Sequence, residues 1–234
     1  MLNDLELTGR ARTHLIQRDD LGAALHTQVL EPFLAMQAEA ARDGIQIEIV
    51  SAFRDFQAQE RIWNLKWRGE RILYDREGAP RDHAALTPSE RVDAILCWSA
   101  LPGASRHHWG SELDVIDRAA VPEGYRVQLL PAEAAPGGVF HALHCWLDVN
   151  MARYGFFRPY QSFRGGVLPE AWHLSYAHVS IAALSALTPE LIAQVVRESD
   201  MLGKELVVSR IPELHRRYVV NIDSPPTDDA AALA

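Results

Sequence analysis

Residues 105–117 read SRHHWGSELDVID, and this stretch carries both a strand and a candidate site. From Glu112 onward it alternates, with Leu113 and Val115 on one side and Glu112, Asp114 and Ile116 on the other. That period of two predicts a strand with one apolar face. Just ahead, His107 precedes the turn residue Gly110, so an imidazole and the Asp114 carboxylate can converge on one cation. Zinc accepts imidazole nitrogen and carboxylate oxygen, and a catalytic site needs only three protein ligands plus water. A His-x6-Asp pair is weak evidence alone, since two polar residues bonding a turn give the same pattern.

Outward from that strand, the chain reads as helices interspersed with a few strands. Residues 28–42 (QVLEPFLAMQAEAAR) predict an amphipathic helix ended by Gly44, and IQIEIVSAF predicts a strand over about 45–52. Asp55 is placed to cap the helix FQAQERIWNLKWR, and residues 69–86 read as a loop. Thr87-Pro88-Ser89-Glu90 is a capping box with proline at the first helical position, predicting a helix to about Ser99. Residues 118–138 read as irregular, 139–153 as a third helix and AWHLSYA (171–177) as another strand. A C-terminal helix follows Thr188-Pro189-Glu190. The expected fold is α+β: a small, mostly antiparallel sheet carrying the ligands, with helices packed on one side. Residues 1–222 read as a single domain and 223–234 as a frayed tail.

Two further pieces bear on chemistry. In Glu170-Ala171-Trp172-His173, His173 projects to one face of the last strand and Glu170 lies at its entrance. A glutamate beside a metal-bound water can take its proton and pass it to a leaving amine. In Ser51-Ala52-Phe53-Arg54, an arginine at the end of the first strand can point into a cleft and stabilise an oxyanion or bind a carboxylate. The competing reading pairs Arg54 with Asp55 or Glu60 on the surface.

The three pieces together resemble the zinc D-alanyl-D-alanine carboxypeptidase and dipeptidase family, which includes the vancomycin-resistance peptidases. That family is similar in its zinc core to the hedgehog signalling domain and to lysostaphin-type endopeptidases. Its Ser-x-His-x-x-Gly-x-Ala-x-Asp motif is matched by Ser105, His107, Gly110 and Asp114, and its Glu-x-Trp-His motif by Glu170, Trp172 and His173. Ser51, Ala52, Phe53, Arg54 and Gln59 resemble its upstream Ser-Gly-Tyr-Arg with a glutamine five residues later, and WLDVNMARYGFF is also similar. The resemblance covers about residues 28–178. It implies that His107, Asp114 and His173 hold Zn2+, that Glu170 is the general base and that Arg54 stabilises the oxyanion. Ser105 and Gln59 become contacts to the substrate or to the groups around it. His108 should point the opposite way from His107 and is the fallback ligand.

The implied activity is hydrolysis of a peptide bond in short D-alanine-containing peptides of peptidoglycan or its precursors. An L,D-carboxypeptidase, an endopeptidase on muropeptides and a zinc-bound recognition module without turnover are the alternatives. The sequence departs from the family at Glu112, where the family has alanine, two residues before Asp114 and on the same strand face. An extra carboxylate there is expected to bind a substrate amine, with a fourth-ligand role, a role orienting His107 and a solvated bystander as alternatives.

Composition narrows the remaining classes. With 23 Lys+Arg against 31 Asp+Glu the net charge is −8, which argues against a nucleic-acid partner or an anionic-membrane binder. No apolar run approaches a membrane span. The start, MLNDLELTGRARTHL, shows no signal-peptide pattern, so the expected location is cytoplasmic, with an extracytoplasmic one as the family-based alternative. Cys97 and Cys145 lie in apolar helical contexts and read as buried thiols, with a disulfide between them left open. His141 and His144 share a helix face but have no acidic or cysteine partner at ligand spacing, and His14, His26, His83 and His215 read as surface or boundary residues.

Overall fold

The structure, a computed structural model, describes residues 1–226. A short helix α1 (Asp4–Leu7) opens the chain, capped by Asn3 and Glu6 bonding each other's backbone. A hairpin follows, β1 (Leu15–Arg18) and β2 (Ala23–His26), then α2 (Leu30–Arg42), β3 (Ile47–Ser51) and α3 (Phe56–Trp67). Next come α4 (Pro88–Leu96), β4 (Glu112–Asp117), α5 (Pro131–Ala134), α6 (His141–Asn150), β5 (Phe156–Phe157) and β6 (His173–Tyr176). The chain closes with α7 (Ala177–Ala186), α8 (Pro189–Glu198), α9 (Lys204–Leu214) and a π turn over His215–Val219.

The local rules hold where they were specific. Asp55 accepts the Ala58 N–H and starts α3, while Thr87 and Glu90 form the capping box of α4. Thr188 and Pro189 end the preceding helix and start α8, but one C-terminal helix becomes three around them. The hairpin and the two-residue β5 have no counterpart in the expected elements. Of the expected tail, residues 227–234 lie outside the described residues, and the part at Asp223 is tied down. Its carboxylate accepts the Ser162 N–H and Oγ–H, each at 2.8 Å.

Four strands form one antiparallel sheet in the order β3-β4-β6-β5. Central strand β4 is buried along its whole length, because both of its faces are covered. Leu113 and Val115 face a cluster with Phe33 and Met36 of α2, Leu143 and Leu147 of α6, and Leu174 of β6. A second apolar cluster gathers Trp63, Trp109, Ile95, Val196 and Ile211 from α3, the turn before β4, and helices α4, α8 and α9. This is the expected α+β class, with the polar face of β4 held between the first cluster and the second. Among the described residues no single helix is long and apolar enough to cross a membrane.

Candidate functional site

Register places the site. Asp114 of β4 pairs with His173 of β6, and Glu112 pairs with Ser175, so all four side chains stand on the face away from Leu113 and Val115. His107 arrives from a 3₁₀ turn, Arg106–Trp109, that ends at Gly110 in the left-handed region (φ +67°). Within this turn adjacent histidines grip alternate residues of the segment after β3. His107 Nδ1 lies 2.7 Å from the Ala52 carbonyl oxygen and His108 Nδ1 lies 2.6 Å from that of Arg54. In return the Arg54 N–H donates to the His107 carbonyl at 3.1 Å, which fixes Arg54 beside the site.

Each histidine is thereby left with one nitrogen for the centre. With Nδ1–H given to Ala52, His107 turns Nε2 toward Asp114 Oδ2, 3.4 Å away. His173 is reversed: Nε2 lies 2.9 Å from Glu112 Oε2, and Nδ1 faces Asp114 Oδ1 at 3.0 Å and Glu170 Oε2 at 3.8 Å. Ligand atoms of His107, Asp114 and His173 all lie within 4.8 Å of one another, and all three residues are buried. Two imidazole nitrogens and a carboxylate, each histidine anchored through its other nitrogen, make a donor set that fits zinc and leaves a coordination position open. Burial lowers His107 to about 3, whereas at His173 burial is outweighed by the hydrogen bonds to Asp114 and Glu112, which raise it to about 10, so a cation bound at Nδ1 would displace a proton from His173. His108 accepts from the Gly103 N–H at 3.1 Å through Nε2 and points away, which removes it as a ligand.

The centre opens into a cavity of about 410 Å³ lined by Arg54, Ser105, Tyr160, Glu170 and Trp172 among others. Burial raises the Glu170 carboxyl to about 7, with His173 acting against the rise and Asp114 adding to it. Arg54 does not pair with Asp55 or Glu60. Its Nη1 donates to Gln59 Oε1 at 2.9 Å and its Nη2 to Ser51 Oγ at 3.1 Å. Ser105 Oγ is buried with no hydrogen-bond partner among the described residues, so it is available to a ligand in the cavity.

This geometry selects between the two readings of Gln59 and corrects that of Glu112. Gln59 is fully buried and spends its amide on the Ala100 carbonyl (2.7 Å) and its oxygen on Arg54, so it positions Arg54 instead of meeting substrate. Glu112 is fully buried as well. Its oxygens accept from Arg106 Nε (3.0 Å), Ser111 Oγ (3.1 Å), Ser175 Oγ (2.9 Å) and His173 Nε2. No substrate amine can reach it, and the ring it orients is His173, not His107. Burial opposes its ionisation, but Arg106 and His173 hold its carboxyl far below the ordinary range. Arg106 and Ser175 gave no signal in the sequence beyond standing next to the motif residues.

Elsewhere, Cys97 and Cys145 are free thiols, and Cys145 is exposed instead of buried. Its sulfur lies 3.5 Å from His141 Nε2, one helical turn away on α6, so a cysteine does stand beside that histidine. His14 is buried where a boundary residue was expected.

The sequence profile of the VanY D-alanyl-D-alanine carboxypeptidases matches residues 22–179. The chain belongs to this family. A Haemophilus influenzae protein described as uncharacterized is 32% identical over 128 residues, 54% of this chain and 95% of its own length. A D-alanyl-D-alanine carboxypeptidase of Enterococcus faecalis is 26% identical over 157 residues, 65% of this chain and 48% of that protein. The chain thus spans about half the length of that relative. Among solved structures, the LdcB LD-carboxypeptidase shares the fold with a TM-score of 0.51 at 18% identity, covering 88% of this chain and 78% of that one. The segments 51–59, 105–114 and 170–173 fall inside the matched residues, and Arg54, His107, Asp114, Glu170 and His173 line one cavity.

Proposed function

We propose that the chain is a zinc-dependent peptidase that hydrolyses a peptide bond at D-alanine in short peptides of peptidoglycan or its precursors, as a D,D-carboxypeptidase does. One observation carries the reading: Glu170 and Arg54 line the same cavity as the His107–Asp114–His173 centre. A structural metal needs neither group, whereas hydrolysis needs a base and an oxyanion donor, so the recognition-module alternative is disfavoured. Family membership supplies the substrate class; the residues supply the hydrolytic site.

His107 Nε2, an Asp114 carboxylate oxygen and His173 Nδ1 would hold the ion. When bound, zinc supplies a Lewis acid that polarises the scissile carbonyl and makes water acidic near neutral pH. Glu170 accepts the proton of the attacking water at its carboxylate and returns it to the leaving amine nitrogen. Arg54, locked by Gln59 and Ser51, keeps further N–H groups for the oxygen on which negative charge develops. Because its two partners fix the guanidinium before substrate arrives, little reorganisation accompanies the reaction. Ser105 Oγ is free to bond the peptide backbone.

The test is mass spectrometry of muropeptides of defined stem length after incubation with the purified protein, zinc-loaded and chelated. Zinc-dependent loss of one terminal alanine from a pentapeptide stem is expected. Glu170→Gln is expected to keep its zinc and lose about 10²-fold or more in turnover. Unchanged turnover in Glu170→Gln, or no product from any stem, refutes the reading.

A further inference from the structure

A second cavity, of about 340 Å³, lies behind the loop that carries Glu170. Along that loop Glu170 and Trp172 line the cavity of the metal centre, whereas Pro169 and Ala171 line this one, so the loop is the wall between the two. Gln161 lines it as well, next to Tyr160, whose carbonyl accepts the Glu170 N–H at 2.9 Å. The Ala171 carbonyl accepts from Arg158 Nε at 2.6 Å, and the same guanidinium reaches Asp148 and the His144 carbonyl of α6. The backbone on either side of Glu170 is therefore held by groups at this second cavity.

Another wall is one face of α6, where His141, His144 and Cys145 stand at i, i+3 and i+4. The Ala134 carbonyl, 3.1 Å from His141 Nδ1, can only accept, so the ring proton sits there and Nε2 is left as an acceptor. Nε2 faces the Cys145 sulfur at 3.5 Å, and that thiol is exposed. A nucleophile, a base within its reach and a third group orienting the base form the arrangement that makes a thiolate available. His144 is 5% exposed, and its tautomer is fixed in the opposite sense. Arg158 Nη2 can only donate, to Nδ1 at 3.4 Å, so Nε2 carries the proton, and among the described residues that N–H has no acceptor. Burial, followed by the charge of Arg158, lowers the ring to about 4, so it is neutral and calls for a hydrogen-bond acceptor. The cavity thus sets a buried, unsatisfied donor beside an activated thiol, in a volume within the range of small-molecule sites, about 300–1,000 Å³.

We propose that Cys145 is a modification site that exchanges with a small peptide-like disulfide, whose carbonyl or carboxylate oxygen bonds the His144 Nε2–H, and that the adduct, wedged against Pro169 and Ala171, displaces Glu170 and slows hydrolysis. The part concerning hydrolysis rests on the peptidase reading above. In the exchange the Cys145 proton passes to His141 Nε2, and the thiolate attacks one sulfur of the disulfide. A new S–S bond forms as the old one breaks, and the departing thiolate takes the proton from the imidazolium and leaves as a thiol. The Cys145 sulfur is oxidised, the departing sulfur is reduced, and an excess of free thiol runs the exchange backwards.

The probe is glutathione disulfide, with bis(2-hydroxyethyl) disulfide as a control that has neither carbonyl nor carboxylate. Adducts on the zinc-loaded chain are followed by mass spectrometry with peptide mapping, which separates Cys145 from Cys97. At pH 7 Cys145 is expected to react about tenfold faster in the folded chain than in the urea-unfolded one, and His141→Gln should erase that advantage. Relative to their rates with the unfolded chain, glutathione disulfide should be favoured over the control about 2- to 10-fold, and His144→Leu should remove the preference. Hydrogen exchange of the Glu170 N–H should rise about tenfold in the adduct. Hydrolysis of a D-alanine-terminated pentapeptide should fall about tenfold or more and recover with reduced glutathione, while Cys145→Ser keeps full turnover in the disulfide. A folded rate no higher than the unfolded one, no preference between the reagents, or an adduct that leaves exchange or hydrolysis unchanged overturns the proposal. A Cys145 adduct that raises exchange in a chain that never hydrolyses any stem, modified or not, sinks the peptidase and leaves the modification site.

Discussion

Glu112 stands where the motif this stretch resembles has alanine, and the consequence of removing its carboxylate follows from its contacts. Glu112→Ala removes an acceptor that Arg106, Ser111, Ser175 and His173 all use. Arg106 is 3% exposed, and its Nη1 already lacks a hydrogen-bond partner among the described residues. Taking away the carboxylate strands a buried guanidinium, which costs about 3–5 kcal/mol. Against a total stability of about 5–15 kcal/mol for a domain, that is a large fraction. The second effect is on the centre itself. Without Glu112, the His173 Nε2–H has no acceptor and nothing fixes the tautomer that presents Nδ1, so zinc affinity should fall about 10- to 100-fold.

The two effects separate in a double variant. Arg106→Met with Glu112→Ala removes both charges together, and replacing a buried pair by apolar groups is often neutral in stability. Urea denaturation with chelator present should therefore show most of the lost stability recovered. Zinc affinity, read by competition with a chromogenic chelator, should stay low, because His173 still lacks its partner. If the double variant binds zinc as tightly as the parent, Glu112 does not orient His173 and the reasoning fails. The same geometry predicts no special loss on amine-bearing peptides over N-acylated ones.

Two further outcomes are expected. Gln59→Met frees Arg54 and leaves the Ala100 carbonyl without its amide donor, so kcat should fall about tenfold with zinc content unchanged; zinc loss instead would mean that Gln59 supports the centre. His144 is buried, and burial followed by the charge of Arg158 depresses it to about 4 from an ordinary 6.5, so the unfolded chain binds more protons between those values. Its contribution to stability is whole above pH 6.5 and is lost as pH falls toward 4, with a slope of at most about 1.4 kcal/mol per pH unit, and His144→Gln should flatten that part of a stability–pH curve.

What the sequence made legible was the part governed by neighbours along the chain. Alternation in 112–116 set the two faces of β4, and the caps at Asp55 and Thr87 set where α3 and α4 begin. Alternation names a face without naming what covers it, and that is where Glu112 was misread. Its cover is Arg106, folded back from the 3₁₀ turn, and Ser175 of β6, 63 positions further along the chain. For Gln59 the sequence left two readings open for the same reason: a residue on one helix face meets whatever the tertiary fold brings, here the Arg54 guanidinium.

Gly110 shows the limit most directly. As the residue after His-His-Trp it reads as a turn glycine, and its φ of +67° agrees. The stronger constraint comes from the β1–β2 hairpin, whose four-residue strands are too short for an alternating pattern to stand out. The His26 N–H donates to the Gly110 carbonyl at 2.8 Å, and a Cβ at Gly110 would lie 2.8 Å from the His26 nitrogen and 2.4 Å from Leu15 Cδ2. The hairpin therefore presses on the turn that aims His107, and it does so through backbone that leaves little room to shift. A segment with no chemistry of its own thus fixes the entry of the first ligand, because the turn can close under the hairpin only where the side chain is a hydrogen.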